Sequence, residues 1–267
     1  MRTSLALARA SHPAPTVAVT ALGVLLAVVA GLPGTTTAVL ALAVLAGQLT
    51  IGWTNDLLDA GRDRTVGRRD KPLASGELTA RTARRALAGA VVVAVVASFA
   101  LGVAPGLVHL VLLAGSGWAY NAGLKGTAVS WLPYAVAFGS LPAVAWLARP
   151  EPVLPPVWMM AVGALLGVGA HLLNALPDLA EDAATGVRGL PHRLGARASR
   201  VVAVVVLLAG SAVAVVGPAG PTPGWGWAVL AGLAALAVAS LARGGRWPFR
   251  AAMVVALVNV VVLLLRG

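Results

Sequence analysis

Eight of the chain's nine acidic residues fall in two short stretches: Asp56, Asp59, Asp63, Asp70 and Glu77 in the first, and Asp178, Glu181 and Asp182 in the second. The first reads Asn55-Asp56-Leu57-Leu58-Asp59-Ala60-Gly61-Arg62-Asp63. The second reads Asn174-Ala175-Leu176-Pro177-Asp178-Leu179-Ala180-Glu181-Asp182. Both contain Asn-x3-Asp-x3-Asp, and on a helix that spacing puts an amide and two carboxylates on one face. Carboxylates on adjacent turns repel one another unless a cation lies between them. Mg²⁺ suits such a place, because it takes oxygen ligands and binds through a few carboxylates plus substrate phosphates. The C-terminal ends of helices also favour positive charge. Two such stripes facing each other can hold two Mg²⁺ ions with a diphosphate between them, an arrangement that stabilises a departing diphosphate. A solvated helix end accounts for one such stretch, but two matching copies at one boundary ask for more.

The elements that position these stripes are membrane helices. The chain has 267 residues, 59% of them hydrophobic and only 11% charged, with a mean hydropathy of +0.88. Soluble domains carry about 25% charged residues. Nine apolar runs stand out, near 15–32, 36–56, 80–102, 105–121, 129–148, 155–175, 200–217, 225–242 and 249–265. Each approaches the roughly 20 residues a helix needs to cross the hydrocarbon core. They are too long and too uniformly apolar for barrel strands. Arg2 and Arg9 before the first run also fit a secretory signal. Pro13 and Pro15 interrupt that pattern, and the charge alternation needs this helix.

When successive breaks are placed on alternate sides, all but two of the 20 basic residues fall on one side, with Arg149 and Arg266 on the other. That asymmetry makes the basic side cytoplasmic, with the N-terminus inside and the C-terminus outside. It also explains the net charge of +11 without nucleic acid. No cysteine is present, so disulfides, zinc–thiolate sites and iron–sulfur clusters are excluded. The 31 glycines fit close helix packing.

The first stretch resembles the leading aspartate-rich motif of the UbiA family of intramembrane aromatic prenyltransferases. Arg69-Asp70-Lys71-Pro72-Leu73-Ala74-Ser75-Gly76 is similar to the family's RPL-x-x-G segment, with lysine for arginine. Asp178-x3-Asp182 resembles the second motif, and Gly186-Val187-Arg188-Gly189-Leu190-Pro191 its continuation G-x-R-T-L-P, with glycine for threonine. Tyr120-Asn121-x3-Lys125 stands where the family has a tyrosine and a basic residue. The resemblance implies an all-α polytopic fold, a single domain over 1–267 with nine transmembrane helices around a central cavity capped by cytoplasmic loops. It implies Mg²⁺-dependent transfer of a prenyl group from an allylic prenyl diphosphate to a small hydrophobic or aromatic acceptor.

On that footing Asn55, Asp56, Asp59 and Asp63 hold one Mg²⁺. Asp178 and Asp182 hold the other, assisted by Asn174. Arg68, Lys71, Lys125 and Arg188 neutralise diphosphate oxygens, with Tyr120 beside them. Trp53, Trp118, Tyr120, Trp131, Tyr134 and Phe138 are candidate walls for an allylic cation, whereas Trp225, Trp227 and Trp247 read as an interfacial belt. His171, a turn before Asn174, is a possible proton acceptor, though a lone helical histidine is more often structural. Glu181 has an uncertain facing, and Glu151 lies on the far side. Two other readings stand: a related terpene cyclase without a separate acceptor, and a cation transporter. The transporter would need acids at mid-membrane, and the sequence has none there.

Overall fold

Apolar runs in a lipid environment must satisfy their own backbone hydrogen bonds, and this chain does so with helices throughout. The computed structural model describes residues 2–184, 186–243 and 247–266. Arg246 lies outside the described residues, as do the side chains of Arg2, Glu181 and Arg250. The helices are α1 (Arg2–Ala10), α2 (Pro13–Val29), α3 (Gly34–Thr65), α4 (Pro72–Ser75), α5 (Ala80–Ala100), α6 (Val103–Leu107) and α7 (Gly115–Ala122). They continue as α8 (Leu132–Leu147), α9 (Val157–Asn174), α10 (Leu179–Ala184), α11 (Leu190–Val216), α12 (Gly224–Ala242) and α13 (Trp247–Arg266). A π-helical stretch, Val108–Ala114, joins α6 to α7. No strand occurs among the described residues.

Every one of the nine apolar runs carries a helix. Among the described residues five segments suffice by length and apolarity to cross a membrane: Gly34–Thr65, Ala80–Ala100, Val103–Ala122, Val157–Asn174 and Leu190–Val216. Thr3–Ala10 and Pro13–Val29 together make a sixth, bent by 68°. Leu132–Leu147 and Gly224–Ser240 are apolar but shorter.

The chain divides into two compact units, Met1–Leu124 with Ala143–Val153, and Lys125–Pro142 with Leu154–Gly267. In the first, α3 is central and packs against α2, α5 and α7. Its C-terminal half is locked by a cluster of Ala6, Ala10, Trp53, Ala60, Leu73 and Leu78. Trp53 Nε1–H donates to the Leu7 carbonyl at 2.9 Å, so this tryptophan anchors α1. Gly52 makes the close approach possible, since a Cβ there would lie 2.5 Å from the Ser11 carbonyl oxygen. In the second unit α11 packs on α9, α12 and α13 around Val162, Leu172, Ala203, Leu207, Val255 and Val262. Outward-facing valines such as Val96, Val157 and Val205 are exposed, as lipid-facing positions are in a membrane helix.

Candidate active site

The first acidic stretch rides on an unbroken helix, because nothing between Asn55 and Thr65 interrupts α3. The expected stripe therefore forms. Asp56, Asp59 and Asp63 are all buried, at 1%, 9% and 7% exposure. Asn55 is tied down: its Nδ2–H donates to Asn121 Oδ1 at 3.1 Å, and Asn121 in turn donates to the Ile51 carbonyl at 2.9 Å. Asp59 pairs with Arg62 one turn on, at 2.8 Å.

Asp56 sits at a three-way junction. Lys71 Nζ donates to Asp56 Oδ1 at 2.7 Å, His12 Nε2 lies 3.0 Å from the same oxygen, and Lys71 Nζ is 3.1 Å from His12 Nε2. The imidazole nitrogen accepts from Lys71 or donates to Asp56, but cannot do both at once. The other carboxylate oxygen, Oδ2, is buried without a partner. Such a group costs about 1–3 kcal/mol unless something fills the gap. His12 was not evident in the sequence. It adopts a left-handed conformation (φ 54°, ψ 68°) at the bend between α1 and α2. For a residue other than glycine that is a strained geometry of the kind that collects at functional sites. The only signal in the chain is its position directly before Pro13.

Beyond the stripe, residues 66–79 fold back over α3. Arg9 bridges to Glu77 at 2.8 Å and to the Asp70 carbonyl at 2.9 Å, and Arg64 reaches the Leu73 carbonyl at 3.0 Å. A cleft of about 360 Å³ opens there, lined by Asp63, Arg64, Gly67, Arg68, Arg69, Ala74 and Ser75. Arg68 grips Asp70 with two hydrogen bonds of 2.9 Å, which hold the Asp70 carboxyl below its usual range. Of the two cations expected from this loop, Arg68 lines the cleft and Lys71 instead meets Asp56. Tyr120 is half-buried on α7, near Trp118, whose Nε1–H donates to Thr50 Oγ1 at 3.1 Å.

The second stretch departs from expectation. It does not form one stripe on one helix. α9 ends at Asn174, and Pro177 bars its continuation. The chain turns, and Asp182 lies on the separate short helix α10. Asp178 and Asp182 remain one turn apart, since the Asp182 N–H donates to the Asp178 carbonyl at 2.8 Å. Asn174 is the last residue of α9 and hydrogen-bonds the Tyr134 hydroxyl. Arg188 is exposed. The glycine standing where threonine is expected has a local cause. A Cβ at Gly189 would lie 2.5 Å from the Lys125 carbonyl oxygen and 2.9 Å from Ser130 Oγ.

His171 is buried, with Nε2 3.0 Å from Ser130 Oγ and its ring 4.9 Å from that of Tyr134. Tyr134 and Phe138 stack at 6.4 Å. A second residue missed in the sequence is His192, whose Nε2 lies 3.8 Å from Asp182 Oδ2. Trp225, Trp227 and Trp247 are exposed, and Arg243 lies over the Trp247 ring at 4.8 Å.

Among the described residues no three histidine or carboxylate side chains converge tightly enough to enclose an ion by themselves. Mg²⁺ does not require that, because one or two carboxylates plus substrate phosphate oxygens suffice. The acidic groups here are carboxylates and the chain has no thiolate, and the buried Oδ2 of Asp56, which has no hydrogen-bond partner, suits a hard cation. The residues present therefore fit Mg²⁺.

Known proteins agree with this fold and these motifs. A digeranylgeranylglyceryl phosphate synthase of Methanopyrus kandleri is 32% identical over 218 residues, covering 78% of this chain and 76% of the relative. A solved structure concerning a digeranylgeranylglyceryl phosphate synthase in membranes superposes with a TM-score of 0.74 at 14% identity, covering 100% of this chain and 99% of the other. A UbiA homologue from Archaeoglobus fulgidus bound to GPP and Mg²⁺ superposes with a TM-score of 0.69 at 13% identity, covering 97% and 98%. These structural likenesses establish the fold. The sequence pattern of the UbiA prenyltransferase family matches residues 13–262, nearly the whole chain and both acidic stretches. With its apolar helices and its two aspartate motifs accounted for together, this integral membrane protein belongs to the UbiA prenyltransferase family.

Proposed function

We propose that this protein transfers a prenyl group from an allylic prenyl diphosphate to a small acceptor in a Mg²⁺-dependent reaction. The observation that carries the reading is the buried carboxylate stripe Asp56, Asp59 and Asp63 with its unpartnered Oδ2. A UbiA homologue of the same fold binds GPP and Mg²⁺. Asn55, Asp56, Asp59 and Asp63 would hold Mg²⁺ at the first motif, and Asp178 and Asp182 at the second. Bound there, the ion supplies charge neutralisation for the leaving diphosphate. Arg68, Lys71, Lys125 and Arg188 donate to diphosphate oxygens, and Tyr120 adds a hydroxyl. Asn174, hydrogen-bonded to Tyr134, assists at the second motif. As the allylic C–O bond breaks, the electron pair leaves with the diphosphate. Aromatic faces such as Tyr134 and Phe138 stabilise the cation. The acceptor then attacks and loses its proton.

The Methanopyrus kandleri relative is a digeranylgeranylglyceryl phosphate synthase. A glyceryl-phosphate type of acceptor therefore joins the aromatic acceptor as a candidate. The one-sided basic residues support nine spans, an inside N-terminus and a cytoplasmic active site, and the family match over residues 13–262 supports a single catalytic domain over 1–267.

Purified protein given Mg²⁺, prenyl diphosphates of several lengths and either acceptor class tests the reading. Diphosphate release that requires an acceptor, with the prenylated acceptor seen by mass spectrometry, is expected. Release without acceptor and a cyclised hydrocarbon product would identify a cyclase. No release with any prenyl diphosphate would overturn the reading.

A further inference from the structure

The chain has four histidines, and three of them have a ring nitrogen within hydrogen-bonding reach of a side chain. His12 meets Asp56 and Lys71, His109 Nδ1 lies 2.7 Å from Ser98 Oγ, and His171 Nε2 lies 3.0 Å from Ser130 Oγ. His192 differs. Its side chain is only 8% exposed, yet neither Nδ1 nor Nε2 has a hydrogen-bond partner. Buried polar atoms are nearly always paired, so an imidazole with both nitrogens orphaned asks what it is built to meet.

Its surroundings answer. The start of α11 is fixed in place: Leu190 N–H donates to Ser130 Oγ at 2.9 Å, Ser199 Oγ–H donates to the Pro191 carbonyl at 3.1 Å, and Pro191 is buried. The backbone that carries the ring is therefore fixed, and Nε2 lies 3.8 Å from Asp182 Oδ2. That gap is just outside hydrogen-bond range. Asp182 sits on a helix of 6 residues rather than on a long packed span. A metal ligand on so short an element needs outside support to hold its orientation.

We propose that His192 is the positioning residue for Asp182. Its Nε2–H donates to the outer oxygen of the carboxylate and so fixes the lone pair that the other oxygen presents to Mg²⁺. The proposal rests on the reading of Asp182 as a Mg²⁺ ligand. It assigns His192 no contact with substrate and no part in proton transfer.

The test follows the thermal stability of the full-length, detergent-solubilised protein as Mg²⁺ is titrated in the presence of inorganic diphosphate. His192→Leu removes the donor at similar volume, and His192→Gln keeps an N–H that can reach. The leucine variant is expected to raise the half-saturating Mg²⁺ by about 10–100-fold, with no fall in metal-free stability, while the glutamine variant stays close to wild type. In an Asp182→Asn background the leucine change should add nothing. If His192→Leu does not fold, His192→Asn, polar but too short to reach Asp182, carries the same expectation.

A leucine variant that titrates like wild type while Asp182→Asn is impaired overturns the inference and leaves the metal reading standing. The same holds if the leucine effect persists undiminished in the Asp182→Asn background. A wild-type protein that turns over prenyl diphosphate but shows no Mg²⁺ response overturns both.

Discussion

The two aspartate motifs share a sequence spacing and differ in how they are held. The first lies on α3, a helix of 32 residues, and its three carboxylates are buried, with Asp56 held by His12 and Lys71. The second begins where α9 stops and is carried on a turn and a 6-residue helix, with Asp182 still 29% exposed at its side chain. In the first motif rigidity comes from the element itself. In the second it must come from neighbours such as the fixed start of α11. The same acidic spacing is thus carried in two different ways, and variants at each should separate function from folding.

The largest effects should expose that contrast directly. Asp56→Ala and Asp178→Ala are each expected to reduce prenyl transfer more than 100-fold, beyond the range seen for supporting residues, which is about 10–100-fold. Only the first should also cost stability. Removing Asp56 strands the Lys71 ammonium, which is 18% exposed, and breaking such a pair costs about 3 kcal/mol. Asp178→Ala should cost about 1 kcal/mol or less. Thermal unfolding of the two purified variants beside their turnover checks both halves. Equal stability losses would erase the proposed difference between the motifs. Excess EDTA should stop turnover in the wild type, and Mg²⁺ should restore it, since the acidic groups gathered at both motifs are carboxylates, which suit a hard cation.

Sidedness comes next. The chain lacks cysteine, so single cysteines report cleanly. Ser75→Cys in the first loop and Ala196→Cys at the start of α11 are both at exposed positions. Both should react with a membrane-impermeant thiol reagent only in inside-out vesicles. Labelling from opposite faces would break the charge-based orientation. Ser199 is unsuitable for this purpose, because it is buried and bonded to the Pro191 carbonyl.

A smaller, structural effect is expected at Gly189. Gly189→Thr restores the residue usual in the resembling motif, and its Cβ would press on the Lys125 carbonyl. Forced overpacking of that kind costs about 1–3 kcal/mol. A variant as stable as wild type would mean that the 125–130 segment yields easily.

The first motif was legible in the sequence because its spacing and the helix it lies on agree. The i, i+4, i+8 rule needs only an uninterrupted helix, and no proline or glycine pair falls between Asn55 and Asp63. The second departs from a single stripe for an equally local reason: Pro177 ends the helix between Asn174 and Asp178, so the matching spacing no longer puts the three side chains on one face. The helices over the nine apolar runs followed from hydrophobicity alone. His12 and His192 were not legible. Each matters through a partner 44 or 10 positions away, and neither stands in a pattern that composition or periodicity picks out. The same holds for Lys71, whose pairing with Asp56 depends on how residues 66–79 fold back.

The smallest effect concerns the loop over the first motif. Arg68 is assigned to the diphosphate, yet in this structure it is bound to Asp70 by two hydrogen bonds. Asp70 is 62% exposed at its side chain, so the pair is worth only about 0.2–1 kcal/mol. Substrate must draw Arg68 away from that competitor or share it. Asp70→Asn removes the competing charge and should lower the KM for prenyl diphosphate by up to about 5-fold, the equivalent of 1 kcal/mol, with kcat unchanged. The sign with pH follows from the depressed Asp70 carboxyl. The pair contributes above the usual carboxylate pKa of about 3.9 and is lost as pH falls through the lower folded value. At the pH of an ordinary assay the competition is therefore at full strength, and Asp70→Asn shows its whole effect. A KM that rises in Asp70→Asn would mean that Asp70 presents Arg68 to the substrate instead of withholding it, and a KM unchanged would remove Arg68 from the diphosphate site.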